Sequence, residues 1–237
     1  MSSTVPPIAS RSHPAMDQLL IFTPDLRALY ISCPKTGCTT IKTVMAAAAG
    51  GIDPTNEDFG LSVPDIHEWW VRHEPRWSGV TPRERLDLVQ SPDVFRFTSV
   101  RDPYERIASC WLAKVARPNN SRLRTIMRER GDASLLGFLR YVAETPPLAR
   151  DIHCRRLVDL TGNGAINFGA VIRHERFAAD PSAVIERLAV PGLRIPNQNP
   201  ARPTRAAEKT AELIGPAERV LAAEIYADDF SAFGYPV

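Results

Sequence analysis

Short apolar runs alternate along the chain with stretches of helical periodicity. The run Ala28-Leu29-Tyr30-Ile31-Ser32 predicts a buried strand, Pro34 to Cys38 a turn, and Thr39 to Ala49 a helix closed by Gly50-Gly51. Residues 52–92, rich in Pro, Asp, Trp and His, predict irregular structure with short helices such as Pro82 to Val89. A second strand is expected over Val94 to Val100. Asp102-Pro103 then opens a helix through Tyr104 to Val115, with proline in its favoured first turn. After a polar, arginine-bearing stretch from Arg117 to Asp132 come a helix over Ser134 to Val142 and a third strand within Ala165 to Ile172. A helix over Pro181 to Leu188, a proline-broken loop from Pro191 to Arg205, and helices over Ala206 to Tyr226 complete the chain. Strands alternating with helices predict an α/β fold around a mainly parallel sheet.

Composition narrows this picture. With 237 residues and 44% hydrophobic content, the chain can bury the core of one domain, expected over 17–237, although length alone also allows two small ones. A net charge of +2 gives no reason to expect nucleic acid or an anionic membrane as partner. Residues 1–16 are polar and proline-bearing, lack the apolar stretch of a signal peptide, and predict a disordered tail; Met16 is an alternative start to Met1. No apolar run is long enough to cross a membrane. Cys33, Cys38, Cys110 and Cys154 form no CxxC pair and no zinc-like spacing with histidine. Reduced thiols in a cytoplasmic protein are therefore expected. Lysine occurs only at positions 35, 42, 114 and 209, and the first two flank one short loop.

That loop carries the first candidate chemistry. Tyr30-Ile-Ser-Cys-Pro-Lys-Thr-Gly-Cys-Thr-Thr-Ile-Lys42 reads as strand, tight turn and helix. A helix N-terminus offers unpaired N–H groups and the positive end of the dipole to an anion. Gly37 permits close backbone approach, Thr39 and Thr40 add hydroxyls, and Lys35 adds a mobile charge. The Walker pattern GxxxxGK[ST] is absent, because here lysine precedes the glycine. An ordinary strand–turn–helix with a surface lysine is the competing reading.

The second stretch, Phe95-Arg-Phe-Thr-Ser-Val-Arg101-Asp-Pro-Tyr-Glu-Arg106-Ile-Ala-Ser109-Cys-Trp111, is another strand-to-helix passage. Arg101 stands at the strand's C-terminal end, where open α/β sheets bind ligands, and a guanidinium can grip phosphate bidentately. Ser109, two helical turns on, can donate to the same phosphate. Asp102 can cap the helix. Glu105 can pair with Arg101 or Arg106, and Trp111 suits the core.

Together PKTGCTT and VRDPYERIASCW resemble the 5′-phosphosulfate loop and the 3′-phosphate motif of sulfotransferases that use 3′-phosphoadenosine-5′-phosphosulfate (PAPS), specifically the carbohydrate-type (family 2) branch. The C-terminal Ile225-Tyr-Ala-Asp-Asp-Phe-Ser-Ala-Phe-Gly-Tyr235 and the stretch Val171-Ile-Arg-His-Glu-Arg-Phe177 are similar to the family more loosely, and residues 117–160 match poorly. The resemblance implies a three-layer α/β fold related to P-loop nucleotide kinases. It implies that Lys35, Thr36, Gly37, Cys38, Thr39 and Thr40 wrap the phosphosulfate and that Arg101 and Ser109 hold the 3′-phosphate. Cys38 departs from the small or hydroxylated residues commoner there. The expected reaction is metal-free transfer of a sulfuryl group to a hydroxyl or amine, with a carbohydrate as acceptor and PAP (the donor without its sulfuryl group) as product. Golgi enzymes of related chemistry carry a membrane anchor, so a soluble form is expected here.

Catalysis of this type rests on positioning and electrostatics. Lys35 is the candidate for stabilising the bridging oxygen as PAP leaves. For a general base, His67 comes first and His73 second, because both fall between the two donor motifs; His153 is third, and Glu68 or Glu74 are alternatives. Trp69, Trp70 and Trp77 can shape an acceptor cleft or belong to the core, and the arginines at 117, 122, 124 and 128 read as a solvated face. The competing functions are an ATP-dependent small-molecule kinase with an atypical phosphate loop, which needs Mg²⁺, and a catalytically inactive PAP-binding protein.

Overall fold

The computed structural model describes residues 19–23, 27–51, 53, 66, 69–70, 81–177, 182–189, 192 and 206–237. The tail expected over 1–16, most of the 52–92 stretch and most of the 191–205 loop lie outside them, as do His13, His67, Glu68, His73, Glu74 and Trp77.

A sheet in the order β1-β2-β3-β4 organises the described chain. Strands β2 (Ala28–Ile31) and β3 (Phe95–Val100) pair in parallel, as do β3 and β4 (Ala170–Arg173). The first strand, β1 (Leu20–Phe22), has no counterpart in the pattern-based reading and lies antiparallel on β2, so the sheet is mixed. All four residues of β2 are buried, which its continuous apolar run requires of a strand covered on both faces.

Alternation along the strands divides the core. Tyr30 packs with Phe97 of β3, Ile172 of β4, and Ile41 and Met45 of α1 (Cys38–Ala48). Val184 of a later helix, α7 (Ser182–Leu188), joins the same cluster. Leu29 and Ile31, pointing the other way, pack with Val89 of α2 (Pro82–Gln90) and with Val94. Helices therefore cover both faces. Removing one of these fully buried aliphatic side chains costs about 2–5 kcal/mol.

Beyond β3 the chain builds a second cluster. Tyr104, Ile107 and Cys110 of α3 (Pro103–Trp111) pack with Leu123 and Met127 of α4 (Arg122–Glu129) and Phe138 of α5 (Leu135–Glu144). After the short α6 (Leu157–Leu160), α7 and α8 (Ala206–Leu213), Ile225 of α9 (Pro216–Ile225) and Phe230 of α10 (Ala227–Phe233) close this cluster.

Several predicted boundaries move. The helix expected to run to Val115 stops at Trp111 and continues as a π-helical turn over Leu112–Ala116. The polar stretch 117–132 contains α4, because Leu123 and Met127 bury one side of it. The strand expected within 165–172 starts only at Ala170, after Gly162, Asn163 and Gly164 turn the chain with positive φ. The final helical region breaks at Gly215-Pro216, where proline begins a new helix. No helix among the described residues is long and apolar enough to cross a membrane.

Candidate active site

Three chain segments leave the C-terminal ends of the parallel strands together. Ile31 pairs with Thr98 and Val100 with Arg173, so the segments after β2, β3 and β4 emerge at one edge of the sheet. This is where open α/β sheets place ligands.

The loop after β2 is held in a strained shape. Lys35 has φ 69° and Gly37 φ 82°, and the first of these disfavours a residue with a Cβ. The Thr36 hydroxyl donates to the Cys33 carbonyl at 2.7 Å and lies 2.7 Å from Ser99 Oγ, which in turn meets the Tyr30 hydroxyl at 2.7 Å. Thr36 is thus turned into the core, and what it can offer a ligand is backbone. Gly37 is required twice, by its φ and by space: a Cβ there would lie 2.5 Å from the Phe177 ring.

Gly37 is also the N-cap of α1. No side chain caps that end, and its first turn carries no acidic residue. The positive end of the helix dipole therefore faces the loop without a resident negative charge in that turn. Thr39 is exposed there, and Cys38 and Thr40 are half-buried.

After β3, Arg101 is 4% exposed and directs Nε and Nη2 to one oxygen of Glu105, at 3.1 and 2.9 Å. Asp102 caps α3, its carboxylate accepting from the Glu105 N–H at 3.0 Å. Ser109, two turns along α3, is buried. Trp111 is half-buried at the edge of the core, its indole N–H donating to the Ala133 carbonyl at 3.0 Å.

After β4, Glu175 accepts from the Asp102 N–H at 2.7 Å and from the Tyr235 hydroxyl at 3.0 Å, tying the C-terminus to the start of α3. The Arg173 guanidinium stacks 4.7 Å from the Tyr235 ring centre. His174 is pushed down to about 4 by burial and by the Arg101 charge. Glu105, His174 and Glu175 bring ligand atoms within 4.8 Å of one another, a spacing a metal ion could use. Glu105 is already committed to Arg101, and Glu175 to a backbone N–H and a phenol.

Two groups that sequence reasoning passed over complete the site. Arg106 is fully buried rather than paired at the surface, donating from Nε to the Pro34 carbonyl at 3.1 Å and from Nη1 to the Arg155 carbonyl at 2.7 Å. It fastens the strained loop to the segment 150–156. Lys114, on the π-helical turn, joins Lys35 and Arg101: burial lowers the Lys35 pKa, and the charges of Lys114 and Arg101 lower it further. Its rarity among so many arginines was the one signal in the sequence.

His153 stands on the fastened segment. Its Nδ1 lies 2.7 Å from Asp151 Oδ1. Burial lowers its pKa, the Asp151 hydrogen bond opposes this, and Lys114 and Lys35 lower it further. Burial raises the Asp151 pKa, but the hydrogen bonds from His153 outweigh burial and leave it low. Asp151 is therefore the ionised acceptor and Nδ1 carries the proton, which leaves Nε2 as the basic atom.

The remaining candidates take structural places. Trp70 donates to the Lys42 carbonyl at 3.1 Å and Trp69 covers Gly51, so both pack on α1. Arg117, Arg122 and Arg128 are exposed, whereas Arg124 donates to the Val115 carbonyl at 3.2 Å and holds the end of the π-helical turn. All four cysteines are free thiols.

The site can hold a polyanion. Lys114 and Arg101 both repel the Lys35 charge, and an anion beside Lys35 at the uncapped helix end relieves that repulsion.

Comparison with known proteins places this geometry. The profile described as "Sulfotransferase family" matches residues 18–236. Carbohydrate sulfotransferase 14 of Homo sapiens is 27% identical over 228 residues, covering 89% of this chain and 58% of that protein. The Mus musculus protein of the same name is 26% identical over the same shares, and the Danio rerio one 23% identical over 93% of this chain and 63% of its own length. The chain thus spans less than two thirds of these relatives. No solved structure gives a significant match.

Proposed function

Because the chain belongs to the sulfotransferase family, we propose that it transfers the sulfuryl group of PAPS to a hydroxyl or amine of a carbohydrate acceptor. The observation that carries this reading is the gathering of Lys35, Lys114 and Arg101 beside the uncapped N-terminus of α1. A donor that carries a 3′-phosphate and a 5′-phosphosulfate on one ribose suits such a cluster. The fold is proposed to be the three-layer, nucleotide-kinase-like arrangement, supported by helices on both faces of the sheet.

In this reading the phosphosulfate lies over the loop from Lys35 through Thr36, Gly37 and Cys38 to Thr39 and Thr40. Backbone N–H groups and the two threonine hydroxyls at the helix start donate to its oxygens. Arg101 leaves Glu105 to take the 3′-phosphate, and Ser109 donates to the same group. The Lys35 ammonium neutralises charge building on the bridging oxygen as the S–O bond lengthens. No metal is required, because these cations supply the charge stabilisation. The proton leaving the acceptor goes to a histidine; His67, then His73, then His153 are the candidates read from sequence.

Calorimetric titration with PAP, with ATP–Mg²⁺ as comparison, tests the donor site. Metal-independent PAP binding stronger than ATP–Mg²⁺ binding is expected, followed by transfer from labelled PAPS to a polysaccharide acceptor. Preference for ATP–Mg²⁺ would replace this reading with a kinase. PAP binding without any transfer would leave an inactive PAP-binding protein.

A further inference from the structure

We infer that His153, oriented by Asp151, is the general base that takes the acceptor's proton. This rests on the sulfotransferase reading above. It moves the base from the segment between the two donor motifs to one that follows both.

The argument is geometric. Arg106 ties the Pro34 carbonyl to the Arg155 carbonyl, so the residues next to each, Lys35 and the 151–155 segment, are held beside one another by a single buried guanidinium. The Tyr226 hydroxyl donates to the Cys154 carbonyl at 2.7 Å, and Asp229 accepts from the Leu157 and Val158 N–H groups at 2.8 and 2.9 Å. On the other side of His153, Arg155 Nη2 donates to the Leu148 and Arg150 carbonyls at 2.7 and 3.0 Å, so the segment is fixed both before and after the histidine. Asp151 Oδ1 meets both the backbone N–H of His153, at 2.9 Å, and Nδ1, at 2.7 Å, which sets the ring's orientation as well as its tautomer. A carboxylate holding Nδ1–H is the arrangement that stabilises an imidazolium once Nε2 has accepted a proton.

The step balances as follows. The acceptor oxygen attacks sulfur while its proton passes to Nε2 of His153. The bond from sulfur to the bridging phosphate oxygen breaks, and its electron pair leaves with PAP. The imidazolium then returns the proton to solvent. Asp151 does not touch the reacting atoms and is a positioning residue.

The charges facing His153 are Asp151 on its own segment, Lys114 on the π-helical turn and Lys35 on the loop. Burial first, and then the two lysines, hold the His153 pKa down against the Asp151 hydrogen bond. A bound donor offsets their charge, so basicity rises when a sulfuryl group is present to be transferred.

The test uses the full chain, labelled PAPS, a chemically desulfated polysaccharide mixture as acceptor, and PAP calorimetry. His153→Asn is the informative variant, because its amide can still donate to Asp151 while the basic nitrogen is gone. Transfer is expected to fall about 10²–10⁴-fold with PAP affinity within about threefold of the unsubstituted protein, a margin under 1 kcal/mol. Asp151→Asn is expected to move the acid limb of the pH–rate profile to lower pH, since the imidazolium loses its counter-charge. Retained transfer in His153→Asn overturns the inference and leaves the sulfotransferase reading standing. So does an acid limb unmoved in Asp151→Asn, or loss of PAP binding along with transfer in His153→Asn, which would make the residue structural. Failure of the unsubstituted protein to bind PAP removes the sulfotransferase reading and this inference with it.

Discussion

Arg106 and Pro34 stand 72 positions apart, yet the buried guanidinium of one donates to the carbonyl of the other at 3.1 Å. The same side chain reaches the Arg155 carbonyl. One residue of the helix after β3 thus sets the distance between the strained loop and the segment carrying His153. Two buried carbonyls depend on it, and each costs about 1–3 kcal/mol if left without a donor. Arg106→Lys keeps the charge but loses the fork. We expect it to lower stability in urea denaturation by about 1–3 kcal/mol and to weaken PAP binding, because the loop loses its anchor.

Gly37→Ala should be severe. The substitution meets a left-handed φ, worth about 1–2 kcal/mol, and a Cβ position 2.5 Å from the Phe177 ring. The loop or the ring must shift, and PAP affinity should fall at least about tenfold, roughly 1.4 kcal/mol. Adding Phe177→Leu should recover part of the stability and little of the affinity, since the backbone strain remains. Calorimetry on the two variants separates these contributions.

Lys35 and Arg101 should fail in different ways. Arg101 contributes charge-assisted hydrogen bonds to a ground-state phosphate, worth about 1.5–3 kcal/mol, so Arg101→Ala should weaken PAP binding by roughly 10–150-fold. Lys35 meets charge that grows as the donor bond breaks, so Lys35→Ala should lower turnover by about 10²–10³-fold with a smaller change in PAP affinity. Equal losses in binding and turnover for both variants would contradict this division.

His174 makes stability pH-dependent. Its pKa falls from 6.5 to about 4 on folding, through burial first and the Arg101 charge second. A depressed folded pKa means that the unfolded chain binds the extra proton first. The stability tied to the neutral ring is therefore complete above pH 6.5 and is lost as pH falls toward about 4. Urea midpoints measured across that window should decline less steeply in His174→Gln than in the unsubstituted protein.

The strand-to-helix geometry of the proposed donor site was legible in sequence because it is local. The Pro34–Thr40 turn and the Arg101–Asp102–Pro103 passage each join a strand to a helix within a few residues, and their chemistry follows from chain geometry. The antiparallel β1 was not legible, since three residues carry no period. Nor was the π-helical turn that carries Lys114, because helix propensity runs on unbroken from Trp111.

The amino-acid sequence by itself determined the alternation of strands and helices, the turn at Gly37 that opens a helix, and the placing of Lys35 and Arg101 just beyond two strand ends, all of which depend on residues close along the chain. Tertiary structure alone decided which distant groups meet them. Arg106 turned inward to carbonyls rather than outward to Glu105, because the Pro34 and Arg155 carbonyls needed a buried donor. His153 gained its place from that contact, since residues more than a hundred positions apart become neighbours only through packing.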